Sequence, residues 1–132
     1  LQINNASLPA LALPALSTTS GDVVIGQENF DANAALTSVV ADELTTVSGR
    51  LVVQNNTALA TLDLRRLEQV SDDVVIADND ALTAVELGNL DAVAGSFCLC
   101  RNPLLPACDA EAVGDVVLAT NVDTSGNNGT CQ

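Results

Sequence analysis

The feature that most limits what this chain can fold into is an internal repeat of about 23 residues. Segments 49–71 and 72–94 follow each other directly, and five apolar positions of the first segment recur at the same places in the second. These positions are Leu59, Leu62, Leu64, Leu67 and Val70, followed by Leu82, Val85, Leu87, Leu90 and Val93. Such a leucine-rich repeat predicts a solenoid, because each turn can bury its apolar side only by stacking on its neighbours.

The repeat extends in both directions over nearly the whole chain. An anchoring leucine recurs at Leu8, Leu36, Leu59, Leu82 and Leu105. Apolar residues alternate with outward ones in 51–53 and 62–64, which is the period of a β-strand, and a helical period is confined to 108–114. We therefore predict a single all-β domain, a right-handed β-helix of about five coils (1–20, 21–48, 49–71, 72–94 and 95–113) with a C-terminal cap (114–132).

An asparagine stands three residues before each anchoring leucine. These asparagines are Asn5, Asn33, Asn56, Asn79 and Asn102. Asparagine tolerates left-handed backbone, and stacked amides can form hydrogen bonds from one coil to the next. We interpret this column as structural rather than as a ligand site.

Charge gives an independent check of the stacking register, since arginines were not used to align the coils. All four arginines fall beside a carboxylate of an adjacent coil. The aligned groups are Arg65 and Arg66 with Asp42 and Glu43, Arg101 with Asp78, and Arg50 between Asp22 and Asp73. Two columns join like charges, Asp63 with Glu86 and Glu68 with Asp91. We expect solvated carboxylates there and no metal site, since no acidic loop has the ligand spacing of a calcium site.

The coils "GDVVI", "GRLVVQNNTALATLDL" and "DDVVIADNDALTAVEL", and the ending "RNPLLPACDAEAVG…NVDTSGNNGTC", resemble the receptor L domain, a leucine-rich right-handed β-helix of insulin-receptor and epidermal-growth-factor-receptor ectodomains. Related coils occur in fungal GPI-anchored wall proteins and secreted bacterial surface proteins. The resemblance covers nearly the whole chain and implies an extracellular or cell-surface location. The chain lacks the aromatic-rich faces with which such receptors bind hormones.

Four cysteines lie in the last third of the chain, at positions 98, 100, 108 and 131. Related bacterial sequences end in a similar pair of cysteines, which favours a bridge from Cys108 to Cys131 that would staple the cap to the last coil. Cys98 and Cys100 are two apart on one side of a strand, with a Cα separation near the limit of about 7 Å for a bridge. They form a strained pair, bond the other two cysteines, or bond another chain.

An even cysteine count and three N-x-S/T sequons favour a secreted, oxidised setting. Asn55 and Asn128 are the better candidates for glycosylation. Asn5 belongs to the buried asparagine column, so we expect it to be a poor acceptor.

Composition excludes several classes of function. The chain has no His, Lys, Trp or Tyr, and its net charge is −13. The commonest general base and zinc ligand is therefore missing, and so are the tyrosine and tryptophan rings on which sugars and bases stack. The charge repels nucleic acids and anionic membranes, and no apolar run approaches the length of a membrane span. We predict no catalytic residues, no cofactor, no nucleic-acid partner and no membrane insertion.

Two regions are candidates for contact with a partner. The second coil is five residues longer than its successors, and its surplus carries Glu28, Phe30 and Asp31. This insertion is either a contact loop or a bulge whose Phe30 folds over the core. The second region combines an outward row of apolar residues with the exposed leucines of an uncapped first coil. Its members are Val24, Val52, Val75 and Val117, together with Leu8 and Leu11. The outward row is either covered by the C-terminal tail or an association surface.

The sequence thus favours a non-catalytic extracellular protein that is structural or adhesive. Its open coil end predicts self-association, with a surface fibre as the most specific form, since an exposed coil end is a template on which another chain can continue the sheet. The alternative is a ligand- or glycan-recognition module of a larger cell-surface protein, in which another extracellular protein is the partner.

Overall fold

The structure, a computed structural model, describes residues 1–3, 8–26, 33–129 and 131. Within these ranges the chain forms fourteen short strands and one helix. In chain order the elements are β1 (Gln2–Ile3), β2 (Ala10–Ala12), β3 (Thr18–Thr19), β4 (Val23–Gly26), β5 (Ser38–Val40), β6 (Thr46–Val47), β7 (Leu51–Gln54), β8 (Thr61–Asp63), β9 (Gln69–Val70), β10 (Val74–Ala77), β11 (Ala84–Glu86), β12 (Ala92–Val93), β13 (Ser96–Cys100), α1 (Ala107–Val116) and β14 (Asn121–Asp123).

The strands form three parallel sheets, and each complete coil contributes one strand to each sheet. Sheet 1 has the order β1-β4-β7-β10-β13-β14, sheet 2 the order β2-β5-β8-β11, and sheet 3 the order β3-β6-β9-β12. Val52 pairs with Val75, and Leu62 with Val85, so neighbouring coils stack in the register of the sequence repeat. The predicted β-solenoid of about five coils is confirmed.

The core consists of the inward side chains that the repeat predicts. Leu62 and Leu64 are 1% and 3% exposed, whereas Asp63 between them points outward and bonds Arg65. The largest buried side chain is Phe97, on β13, at 1% exposure. Each such side chain stabilises the fold by about 1.5–3 kcal/mol, so continuous stacking is the main source of stability.

The asparagine column forms a continuous buried ladder. Its described members are Asn33, Asn56, Asn79, Asn102 and Asn127, all at most 3% exposed. Each side-chain amide that precedes another member donates to the side-chain oxygen of the next, as from Asn33 to Asn56 at 2.9 Å and from Asn79 to Asn102 at 3.2 Å. Each also donates to a backbone carbonyl of the preceding coil, on that coil's strand of sheet 1. These bonds fix the position of one coil on the next along the solenoid axis.

The left-handed backbone predicted for the ladder lies one residue earlier. Asn55, Asp78 and Arg101, which directly precede ladder asparagines, have φ near +56°, and Gly126 has φ of +75° before Asn127. After this turn the backbone N–H of the ladder asparagine also joins the ladder: the backbone N–H of Asn56 donates to the side-chain oxygen of Asn79.

Prolines stand at the repeat positions that precede and follow sheet 2. In one column of the solenoid, each residue donates its backbone N–H to the coil before it: Thr37 to Pro9, Ala60 to Thr37 and Thr83 to Ala60, at 2.8–2.9 Å. Pro9 begins this column, and Pro106 stands 23 residues after Thr83 at the equivalent position of the repeat; neither has an N–H. Pro106 instead precedes α1, where proline is well tolerated.

The C-terminal segment continues the solenoid as well as covering it. Helix α1 takes the place of a fifth strand in sheet 2, after which Leu118 pairs with Ala92 of sheet 3 and β14 extends sheet 1. The predicted cap, residues 114–132, thus includes a partial sixth turn. Among the described residues, no helix is long and apolar enough to cross a membrane.

Candidate association surfaces

The outward row of sheet 1 contains three of the four valines predicted for it. Val24, Val52 and Val75 pair successively, and all three are half-buried. Val117 was wrongly assigned to this row. Helix α1 replaces the sheet 2 strand of this coil, and the residues that follow it, 117–119, lie beside sheet 3 instead of sheet 1. Val117 is buried at 6% exposure, and Asp123 pairs with Cys98 at the end of the row.

The inward column of sheet 1 ends in an exposed apolar residue at each edge. Its central members, Leu51, Val74 and Phe97, are 0–1% exposed. Val122 pairs with Phe97 at the far edge and is 41% exposed. At the opposite edge Leu1, next to the Gln2–Val24 pair, is 51% exposed. The same core column is therefore open at both ends of the sheet.

The first coil exposes fewer leucines than predicted. Leu8 is 46% exposed, but Leu11 is only 9% exposed, because it points inward from β2 where it pairs with Val39. Leu13 and Leu16 are half-buried against the core. Leu8 remains a candidate for association, and Leu11 is a core residue.

Several predicted positions lie outside the described residues. These are the contact-loop residues Glu28, Phe30 and Asp31, and the sequon residue Asn5. Of the other two sequons, Asn128 is exposed, and Asn55 is half-buried at the left-handed turn that precedes the ladder.

Ion pairs between coils match the predicted register at three of four arginines. Arg50 bonds Asp22 at 3.1 Å, Arg66 bonds Glu43 at 3.0 Å and Arg101 bonds Asp78 at 3.0 Å, all across neighbouring coils. The prediction for Arg65 was wrong, since it bonds Asp63 of its own coil at 2.5 Å rather than Asp42. Asp63 is only two residues from Arg65, so the arginine side chain reaches it more easily than a carboxylate on the next coil. The pair also neutralises one carboxylate of the Asp63–Glu86 column.

The Arg101–Asp78 pair makes folding sensitive to acid. Hydrogen bonding from Arg101 lowers the pKa of Asp78 below its usual value. A carboxyl whose pKa is lower in the folded chain stabilises the fold above its unfolded pKa of about 3.9, and loses this contribution as pH falls through the folded value.

We expect Asp78→Asn to make the free energy of unfolding less dependent on pH in the acid range. The free energy of unfolding of the unmodified chain should fall more steeply than that of the variant between about pH 4 and about pH 2, since the variant lacks the titrating group. Urea unfolding at a series of pH values measures this. Asp80→Asn, at an exposed carboxylate outside the ion pairs described above, is the matched control. Equal slopes for Asp78→Asn and the unmodified chain would contradict the expectation.

The cysteines form two bridges. Cys108–Cys131 is confirmed, with the Cα atoms 5.9 Å apart. Cys98 and Cys100 also pair, and their Cα atoms, 5.3 Å apart, lie closer than the sequence predicted. The distance between Cα atoms two residues apart is set by the backbone of the residue between them, so the chain bends at Leu99 more than the extended strand assumed from the sequence.

A shallow groove of about 550 Å³ lies where sheet 3 meets the end of α1. It is lined by Glu68, Gln69, Gly88, Asn89, Leu90, Asp91 and Val116. Glu68 and Asp91 are the stacked like charges predicted from the sequence, and both are exposed. We name this feature the acidic groove.

No family model, no curated protein and no solved structure matches this chain.

Proposed function

We propose that this chain is a non-catalytic structural or adhesive protein of the extracellular space, which associates head to tail through the two ends of sheet 1. The observation that supports this most directly is the core column that ends in Val122 at one edge and Leu1 at the other, both exposed. In a head-to-tail stack, β14 of one copy lies beside β1 of the next and places Val122 on Leu1, which continues the column.

Sheet 1 is better suited to such stacking than sheet 2. An edge strand whose backbone N–H and C=O groups are unpaired can pair with a strand of another chain. Proline reduces this pairing because it has no N–H to donate. Pro9 removes the N–H that sheet 2 would direct to a preceding coil, whereas no proline occurs in β1, β14 or β3. Association through the coil ends therefore relies on sheets 1 and 3.

The physical balance favours weak association that strengthens with salt. Covering a few hundred Å² of apolar surface yields several kcal/mol at roughly 25 cal/mol per Å², before the entropy of association is subtracted. The net charge of −13 opposes contact between copies, and salt screens it. A head-to-tail contact does not close on itself, so repeated contacts produce filaments.

Other features support an extracellular, non-catalytic role. Disulfides persist in oxidising compartments, and this chain has two. The resemblance of its coils to receptor L domains points to the same setting. Without His or Lys, acid–base chemistry would fall to carboxylates, and the aspartates at positions 22, 63 and 78 are held in ion pairs.

Substitution at Val122 tests the stacking contact. We expect Val122→Lys to weaken association at least about tenfold, because a charge then occupies the end of the apolar column. Leu104→Lys changes the net charge equally at a residue that is 54% exposed but outside sheet 1, and should associate as the unmodified chain does. Sedimentation velocity over a range of protein and salt concentrations compares them. Equal association of the two variants would exclude this contact.

Ligand recognition is the second candidate, and the acidic groove is the observation in its favour. The exposed carboxylates of Glu68 and Asp91 lie in the same groove as the apolar side chain of Val116, and their charge suits a cationic ligand. A neutral glycan fits less well, since no aromatic residue lines the groove for a sugar to stack on. Glu68→Gln combined with Asp91→Asn should then abolish binding of a cationic peptide while leaving sedimentation unchanged. Binding unaffected by the double substitution would remove this candidate.

A further inference from the structure

We propose that the Cys98–Cys100 disulfide is an exchange site for a small external thiol, with Cys98 as the sulfur attacked and Cys100 as the leaving group. The proposal rests on the different surroundings of the two sulfurs and on the short separation of the two residues. The bridge lies on β13, one strand away from the stacking edge at β14, and its exchange does not depend on self-association.

Access distinguishes the two cysteines. Cys98 lies in the outward row of sheet 1 between Val75 and Asp123, and it is half-buried. Cys100 is 0% exposed. A nucleophile that arrives from solvent therefore meets the Cys98 sulfur, and the limited opening there favours a small thiol over a cysteine on a folded protein.

Electrostatics favours the same direction of cleavage. Nη1 of Arg101 lies 3.6 Å from the Cys100 sulfur, while Nε and Nη2 of the same guanidinium bond Asp78 at 3.0 Å. A neighbouring guanidinium stabilises a thiolate and so makes Cys100 the better leaving group.

Asp123 opposes cleavage in the other direction. It pairs with Cys98 across the sheet, and its carboxylate lies within 4.8 Å of both sulfurs. A thiolate on Cys98 would face this negative charge without a direct contact to Arg101. The carboxylate also weakens the Cys100 thiolate, but there the guanidinium compensates for it. Breaking the bond with the electron pair on Cys100 is therefore preferred.

The fold protects this bridge less than it protects the other. A disulfide and the fold stabilise each other by the same free energy, which grows with the length of the loop that the bridge closes. Cys108–Cys131 spans 23 residues and ties the chain end to α1, whereas Cys98–Cys100 spans 2. Opening Cys98–Cys100 thus leaves the solenoid nearly as stable as before.

The exchange step balances without any further reactant. The thiolate of the external thiol attacks Sγ of Cys98, the bond between the two protein sulfurs breaks, and its electron pair stays on Cys100. The product is a mixed disulfide at Cys98 and a thiolate at Cys100. Return attack by the Cys100 thiolate on Sγ of Cys98 expels the external thiolate and restores the bridge. Alternatively, a second external thiolate attacks the external sulfur of the mixed disulfide, which releases the external disulfide and leaves both cysteines reduced.

Reduced glutathione at graded concentrations provides the test on the folded chain. After acid quenching and alkylation, peptide mass spectrometry reports which cysteine carries glutathione and which bridge has opened. We expect the mixed disulfide on Cys98, and opening of Cys98–Cys100 at about tenfold less glutathione than Cys108–Cys131. A mixed disulfide mainly on Cys100, or earlier opening of Cys108–Cys131, would overturn the proposal.

Variants at the ion pair separate the leaving-group effect from a loss of structure. Arg101→Gln should slow opening of the bridge about tenfold, and Arg101→Lys should restore part of the rate. Asp78→Asn breaks the same ion pair but keeps the guanidinium beside Cys100, so it should not slow the exchange. Equal slowing by Asp78→Asn and Arg101→Gln would contradict the role given to Arg101.

Discussion

Replacing Leu64 with aspartate is expected to unfold the domain. Leu64 is 3% exposed and lies between Ala41 and Leu87 of the neighbouring coils, both 2% exposed. A carboxylate there has no cation to pair with inside an apolar core, and its burial costs several kcal/mol. Since a domain of this size is stable by about 5–15 kcal/mol in total, we expect the cooperative thermal transition, followed by far-ultraviolet circular dichroism, to be lost near room temperature.

The neighbouring residue is the control for this substitution. Asp63→Leu changes a residue that points outward and bonds Arg65, which is exposed. Loss of that pair should cost about 1 kcal/mol, because the freed guanidinium is solvated. Equal thermal transitions for Leu64→Asp and Asp63→Leu would mean that the assigned alternation of this strand is wrong.

Replacing Asn79 with alanine is expected to have the second-largest effect. The Asn79 side chain accepts hydrogen bonds from the backbone and side-chain amides of Asn56, and donates to Val53 O at 3.0 Å and to Asn102 at 3.2 Å. Its removal leaves buried polar groups on both neighbouring coils without this partner. Each such group costs about 1–3 kcal/mol, so the free energy of unfolding should fall by about 3–5 kcal/mol.

Urea unfolding measures this loss, with Asn89→Ala as the control. Asn89 is exposed at a corner turn and does not belong to the ladder. Its substitution should change the free energy of unfolding by less than about 0.5 kcal/mol. If both alanine variants lost the same stability, the ladder would have no special role in holding the coils together.

The repeating part of the fold could be predicted from the sequence because its core is periodic. Leu59 and Leu82 occupy equivalent buried positions, so aligning the repeats places every inward residue of the central coils. The same reasoning failed after Cys100, where α1 lengthens the turn. The ladder step from Asn102 to Asn127 is longer than the regular repeat, and for this reason Asn127 was missed. A residue that accepts left-handed backbone before an asparagine, here Gly126, was the signal that could have found it.

Local contacts were harder to predict than the stacking register. Arg65 has carboxylates both on its own strand end and on the neighbouring coil, and a repeat alignment records only the second kind of neighbour. The bridge between Cys98 and Cys100 depends likewise on a local bend at Leu99, between the two cysteines, which a repeat alignment does not record. For the surfaces, the alignment gave the valine row but not the exposure of Val122, since it did not foresee that β14 ends sheet 1.

Solution X-ray scattering of this chain tests head-to-tail stacking most directly. Sheet 1 contains six strands, so each added copy should lengthen the particle by about 29 Å at a strand spacing of about 4.8 Å. We predict that the maximum dimension grows in such steps as protein or salt concentration rises, while the cross-sectional radius of gyration stays constant. A maximum dimension that stays at the value of a single copy, or growth that widens the cross-section, would contradict the account.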